Sequence, residues 1–323
     1  MMHLLALVPG GIGDQLLFFP TLDSIKQQYP DASIDVVVEP RSAGAYRVYP
    51  AVKKVWSFDF KGSNSLADWA NLLGNMREQE YDAVISLGRS HTVGLLLWLT
   101  GIPVRVAFSG QSNGYLSAAV TYNPDQYAAA TYHDLLKGLN IHTPCPPVKI
   151  TLAKSDLDWA ESEQKRLGVK DSGYILLHGG SSALAKKKGI DKIYPAESWI
   201  AVINGLQKKL PNIPVVVIAG PEDRDLVNAF KAKLPNILTT SPPDIGKLAA
   251  TIASANLLLC TDSGPMHIGV AVGTALVALF GPTEPERLLP LDTHKQIKFV
   301  KAPAGKPIGS IAPQDILATI WSK

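Results

Sequence analysis

Four short loops carry the residues that could do chemistry, and each follows an apolar run. The first is Pro9-Gly10-Gly11-Ile12-Gly13-Asp14. Its glycines let the backbone approach a ligand closely. The spacing is not G-x-G-x-x-G, and Asp14 would oppose a pyrophosphate, which argues against a dinucleotide. Asp14 reads either as a helix N-cap or as a carboxylate placed to take a proton as a general base. The second loop, His178-Gly179-Gly180-Ser181-Ser182, has the small residues and hydroxyls of a phosphate cradle, or of a flexible turn. Lys186, Lys187 and Lys188 after it read as a solvated run. Lys192 stands apart, just before Ile193-Tyr194-Pro195, where a cation at a helix entry could meet a phosphate. In the third loop, Gly220-Pro221-Glu222-Asp223, Glu222 could accept hydrogen bonds from ribose hydroxyls or serve as a first-turn helix acid. The fourth, Thr261-Asp262-Ser263-Gly264-Pro265-Met266-His267, joins a strand to a helix start whose backbone N–H groups would point at an anion. Ser263 or Asp262 fits its N-cap. His267 alone would read as a helix histidine with its hydrogen bonds met. Gly281-Pro282-Thr283-Glu284-Pro285 follows the next strand and would present a loop to the same site.

Something must hold these loops, and the hydrophobic periodicity says what. Strand-like runs His3–Val8, Asp35–Val38, Tyr81–Leu87 and Val104–Phe108 alternate with helical patterns over Gln15–Gln28, Leu66–Glu78 and His91–Thr100. A Pro-rich stretch, Thr143–Pro147, cannot sit inside a helix or central strand and leads into a linker. A charged helix, Asp156–Leu167, comes next. Strands are then expected at Tyr174–His178, Val215–Ala219, Leu257–Thr261 and Leu276–Phe280, among helices at Ala196–Leu210, Asp223–Lys233, Ile245–Ser254, Pro265–Val272 and Gln314–Trp321. This βα alternation implies two α/β domains, each a doubly wound parallel sheet. Two such domains in series are expected to face a central cleft, with the loops after the strands lining it.

Composition agrees. A length of 323 residues suits two domains, and 46% hydrophobic with 18% charged residues is an ordinary globular balance. Cys145 and Cys260 alone cannot make a disulfide scaffold and suit reduced thiols. Residues 1–150 hold 11 basic and 12 acidic side chains, and residues 151–323 hold 20 and 16. That asymmetry is too slight for a nucleic-acid binder and fits an anionic small ligand in the second half. The apolar run from Gly269 to Gly281 is 13 residues, short of the roughly 20 a spanning helix needs. Leu4–Val8 is too short for a signal-peptide core and no Lys or Arg precedes it, so a cytoplasmic protein is expected.

Taken together, LVPGGIGDQLLFFPTL near the start and DSGPMHIGVAVGTALVALFGPTEPERLLP near the end resemble the heptosyltransferases of glycosyltransferase family 9. HGGSS, Lys192 before a Tyr-Pro helix start, and AGPED agree in the same order along the chain. The resemblance implies the GT-B fold, with an N-terminal acceptor domain over 1–152, a nucleotide-sugar donor domain over 153–312, and a C-terminal helix, 313–323, that can pack back on the first domain. It implies an inverting transferase that moves heptose from ADP-heptose to a lipopolysaccharide-core or related glycolipid acceptor, with no cofactor and no metal ion. By the same resemblance Asp14 is the catalytic base and Lys192 meets the donor phosphates. Glu222 meets the ribose, Asp262 lies near the donor sugar, and Ser263, Gly264 and His267 belong to the donor-phosphate loop. Gly13, Ser181 and Ser182 complete the expected donor contacts. The acceptor class implies peripheral contact with the cytoplasmic face of the inner membrane. Arg89, after the Tyr81–Leu87 strand, is a candidate acceptor contact or an exposed arginine at a helix entry. Tyr194 stands where tryptophan is common in the family, Ser263 where threonine is frequent, and Val8-Pro9 where a basic residue is often found. Two other readings stay open: a GT-B relative that uses another nucleotide-sugar, transferase or epimerase, and a non-catalytic sugar-nucleotide binding protein.

Overall fold

Val8 and the four residues before it are buried without alternation, so the first strand, β1 (His3–Val8), must be covered on both faces. The computed structural model describes residues 2–180, 192–291 and 296–322. It divides into two compact units, Met1–Thr151 and Leu152–Lys323.

In the first unit β1 is followed by α1 (Ile12–Gln28), β2 (Ser33–Val38), a 3-10 stretch over Pro40–Val48, β3 (Lys54–Ser57), α2 (Leu66–Glu78), β4 (Ala83–Ser86), α3 (His91–Leu99), β5 (Val104–Phe108), β6 (Ala118–Val120) and α4 (Ala128–His133). The sheet is parallel throughout, in the order β3-β2-β1-β4-β5-β6. On one face Leu5, Leu7, Val37 and Val84 pack against Leu72 and Met76 of α2 and Val93, Leu96 and Leu97 of α3. α1 is buried from Gln15 to Leu22.

The second unit repeats the plan. It opens with α5 (Lys154–Leu167), which stops at Gly168 in the left-handed region. Then come β7 (Ile175–His178), α6 (Ala196–Lys209), β8 (Val215–Ile218), α7 (Arg224–Lys233), β9 (Leu238–Thr240), α8 (Ile245–Ala253), β10 (Leu257–Thr261), α9 (Gly264–Val272), β11 (Leu276–Phe280), α10 (Pro285–Leu288), β12 (Ile297–Lys301) and α11 (Pro313–Trp321). The parallel order is β12-β11-β10-β7-β8-β9. Each sheet reverses direction beside its first strand, at β1/β4 and at β7/β10. That reversal is where doubly wound sheets open a crevice beyond their strand ends.

The C-terminal helix, α11, packs in the second unit. Ile316 of α11 is fully buried in the core of the second, beside Trp199, Ile203 and Phe230, and the Lys209 ammonium lies 4.1 Å over the Trp321 ring. Leu317 and Ile320, on the same apolar stripe, are partly buried against that core. Among the described residues no helix is long and apolar enough to cross a membrane.

Candidate functional site

In the first unit the reversal brings the Gly10–Asp14 loop to the end of β1. Asp14 is the third residue of α1 and Gly11 is the N-cap, so the reading of Asp14 as N-cap is corrected by three positions. From that third position its carboxylate serves the helix start, accepting the Gly11 N–H on Oδ2 at 2.7 Å. The other oxygen, Oδ1, accepts the Tyr132 hydroxyl at 2.9 Å. Gly10 has to be glycine, since a Cβ there would lie 2.3 Å from Asp14 Oδ2. Gly13 is the second helical residue.

The loop backbone is clamped from the Pro40–Val48 stretch. Ser42 donates to the Gly10 carbonyl at 2.6 Å. Buried Gln15 donates to the Val8 carbonyl at 2.9 Å and accepts the Tyr46 hydroxyl at 2.8 Å. Burial pushes the Tyr46 phenol far up, so it stays protonated and remains a donor. The result is a half-buried carboxylate of fixed orientation with lone pairs to spare, which can take a proton.

Arg89 is exposed, one residue before Ser90, whose hydroxyl caps α3 by accepting the Val93 N–H at 3.3 Å. Its guanidinium lies 4.3 Å over the Tyr122 ring.

In the second unit the ends of β7, β8, β10 and β11 collect most of the expected residues. Lys192 Nζ lies 2.5 Å from Asp262 Oδ2, and Thr283 donates to the same oxygen at 2.7 Å. Asp262 is only 5% exposed, so the ammonium partners a carboxylate that water scarcely reaches. Ser263 sits at the N-cap of α9, but its hydroxyl does not cap the helix. It donates instead to the Thr261 carbonyl at 3.0 Å and lies 3.1 Å from His178 Nδ1. The Ser263 side chain makes no cap bond to the first turn of α9, which begins at Gly264. An α-helix start without a side-chain cap, beside a lysine, is a place for an anion. His267 is buried one turn further along α9.

His178 leads on to a buried acid. Its Nε2 lies 3.6 Å from Asp223 Oδ2, which also accepts the Gly220 N–H at 2.9 Å. Burial works against the charge on Asp223. The neighbouring His178 imidazole and the Gly220 N–H outweigh it and hold the carboxyl below the usual aspartate range. Gly180 makes room for this acid, since a Cβ there would lie 1.6 Å from Asp223 Oδ1. The Gly180 carbonyl accepts the Thr261 hydroxyl at 2.9 Å, tying the β7 and β10 loops together.

Glu222 is exposed and lies before α7, whose first-turn acid is Asp225. It is therefore not the helix acid that sequence reasoning held open. Ser181, Ser182 and Lys186–Lys188 lie outside the described residues. Sequence reasoning gave no role to Tyr132, Gln15, His178, Asp223 or Thr283. His178, Asp223 and Thr283 fall within or beside the loops it singled out, whereas nothing local marks Tyr132. Among the described residues no group of three or more His, Cys, Asp or Glu side chains is placed to hold a metal ion.

The profile of glycosyltransferase family 9 (heptosyltransferase) matches residues 69–308. The chain is 24% identical to the photosynthetic NDH subunit of subcomplex B 1, chloroplastic, of Arabidopsis thaliana, over 87% of this chain but only 64% of that one. It is 27% identical to lipopolysaccharide heptosyltransferase 3 of Escherichia coli, covering 84% of this chain and 80% of that protein. The structure of E. coli ADP-heptose lps heptosyltransferase II superposes with a TM-score of 0.80 at 19% identity, covering 99% of this chain and 97% of that one. The likeness in structure establishes a shared GT-B fold.

Proposed function

Because the chain belongs to glycosyltransferase family 9, matched over residues 69–308, we propose that it is an inverting glycosyltransferase that moves heptose from ADP-heptose to a lipopolysaccharide-core acceptor. The observation that carries this reading is the cation at the start of α9. Lys192, held at 2.5 Å by Asp262, stands with a helix start that its N-cap residue Ser263 leaves without a side-chain cap bond. Together they suit a diphosphate leaving group whose negative charge grows as it departs.

In this reading the second unit binds the donor. Lys192, Gly264 and His267, with Ser181 and Ser182, hold the diphosphate, and Asp262 and Ser263 order the loop beside the sugar. Glu222 reaches the ribose. The first unit binds the acceptor and supplies the base. The acceptor hydroxyl oxygen attacks the anomeric carbon from the face opposite the diphosphate and its proton passes to the Asp14 carboxylate. The bond from the anomeric carbon to the diphosphate oxygen breaks, and its electron pair leaves with ADP. One displacement inverts the centre and needs no protein nucleophile. The acceptor class brings the reaction to the cytoplasmic face of the inner membrane, with peripheral contact there.

A calorimetric panel of ADP-, UDP-, GDP- and CMP-sugars, followed by heptose transfer to a heptose-free lipopolysaccharide core read by mass, tests the reading. ADP-heptose binding with an acceptor mass increase of one heptose is expected. Asp14→Ala should keep donor affinity and lose turnover by orders of magnitude. Change of the donor sugar without acceptor would favour an epimerase, and nucleotide-sugar binding without turnover a binding protein. Unchanged turnover in Asp14→Ala would remove the base.

A further inference from the structure

We propose that Tyr132 is a positioning residue for Asp14, its hydroxyl fixing the carboxylate in the orientation from which it takes the acceptor proton. The proposal rests on the reading of Asp14 as general base. The Gly11 N–H bond to Oδ2 is local, made three residues away, and belongs to the helix start. The Tyr132 bond to Oδ1 spans 118 positions and adds nothing to capping. It holds the second oxygen, so the carboxyl plane cannot turn without breaking a bond.

The tyrosine is itself held. Its ring packs on Phe18 of α1, with centroids 6.5 Å apart. The next residue, His133, is tied to α1 through Ser24, Nε2 to Oγ at 2.8 Å. α4 is thus fastened to the same helix that carries Asp14, at Phe18 and at Ser24, and the hydroxyl arrives from a rigid base. On the other side Gly10 supplies the space into which the carboxylate folds. A carboxylate offers about four lone-pair sites, and two donors leave room for an incoming proton. A merely structural role would be to tie α4 to α1. Phe18 and Ser24 already do that, so the hydroxyl's contribution should be to turnover.

The test is a double-mutant cycle on the full chain with Tyr132→Phe, Asp14→Asn and the pair, which keeps the ring and its packing. Heptose transfer from ADP-heptose to heptose-free lipopolysaccharide core is measured, with ADP affinity by calorimetry and the thermal midpoint as controls. Tyr132→Phe should lower kcat about 10- to 100-fold, as the loss of a hydrogen bond to a charged group does, and leave ADP affinity within about twofold. In the Asp14→Asn background the same change should cost less than about twofold in residual turnover, because its effect passes through Asp14. No transfer by the unmodified chain overturns the heptosyl reading and this role together. Transfer that Asp14→Asn leaves intact overturns the base, and Tyr132's role with it. Transfer lost in Asp14→Asn but untouched by Tyr132→Phe, or lost additively in the pair, overturns Tyr132 alone.

Discussion

Gly10 and Gly180 make the same allowance in the two units, each leaving out a Cβ where an acid folds back over the backbone. Gly10→Ala would push Asp14 off Gly11 and Tyr132. Turnover should fall about tenfold or more, since small misplacements of a reacting group are costly, while ADP affinity measured by calorimetry stays unchanged. Equal losses in both would mean that Gly10 only supports the fold. Lys192→Gln keeps most of the side chain's length and removes the charge. ADP affinity should fall about 10- to 100-fold, the range expected for a charge-assisted hydrogen bond, and an unchanged Kd would take Lys192 out of the donor site. Asp14, Lys192 and Asp262 drew attention because each lies between the end of a strand and the body of the next helix, where unusual residues are conspicuous. Their partners were not. Tyr132 reaches Asp14 from 118 residues away, and Thr283 reaches Asp262 from 21. Glu222 drew attention by residue type, and the buried acid of the same loop is its neighbour Asp223. Through-space contacts of this kind leave no period in a sequence.

At the level of elements, the eight inner strands were readable and the four edge strands were not. β3, β6, β9 and β12 are the ends of the two sheets. β3 and β12 have no buried residue, and β6 and β9 have one each at the last position. A strand with one neighbour and partial cover has no need of a continuous apolar run, so its residues give a weak signal. Inner strands such as β4 and β11 are buried at every position and announce themselves. The C-terminal helix poses a different question. Its amphipathic stripe was plain, but a stripe does not say which face it will cover. Ile316 is the fully buried residue of that stripe. Ile316→Ala should therefore destabilise the second unit by about 2–5 kcal/mol, transfer loss and cavity together. Hydrogen exchange should show faster opening of α6 and β11 amides with those of β1 and α1 unchanged. Exchange of α6 and β11 left unchanged would take Ile316 out of the second unit's core.

For the molecule as a whole, the two units should lose stability in different pH windows. In the first, His133 is buried against Ser24, and burial holds its imidazole below the ordinary histidine value of 6.5, with Lys137 adding to burial and Asp134 opposing it. A histidine with a lowered folded-state pKa takes up its proton more readily when unfolded. Its contribution is full above 6.5 and is lost as pH falls from there toward the folded value. Asp23 and Glu39 in the same unit have carboxyls raised first by burial, so they take up protons more readily when folded and oppose further loss at lower pH. In the second unit Asp223 is lowered from 3.8. Its contribution is present above 3.8 and is lost only as pH falls below it. From pH 7.5 to 5.5 the amides of α1 should therefore exchange faster while those of β7 and β10 hold, and below about pH 4 the order should change. One proton limits the first effect to about 1.4 kcal/mol per pH unit. His133→Gln should flatten the α1 response between pH 7.5 and 5.5 and leave β7 and β10 as they were. An α1 response that survives that substitution would assign the loss to another group.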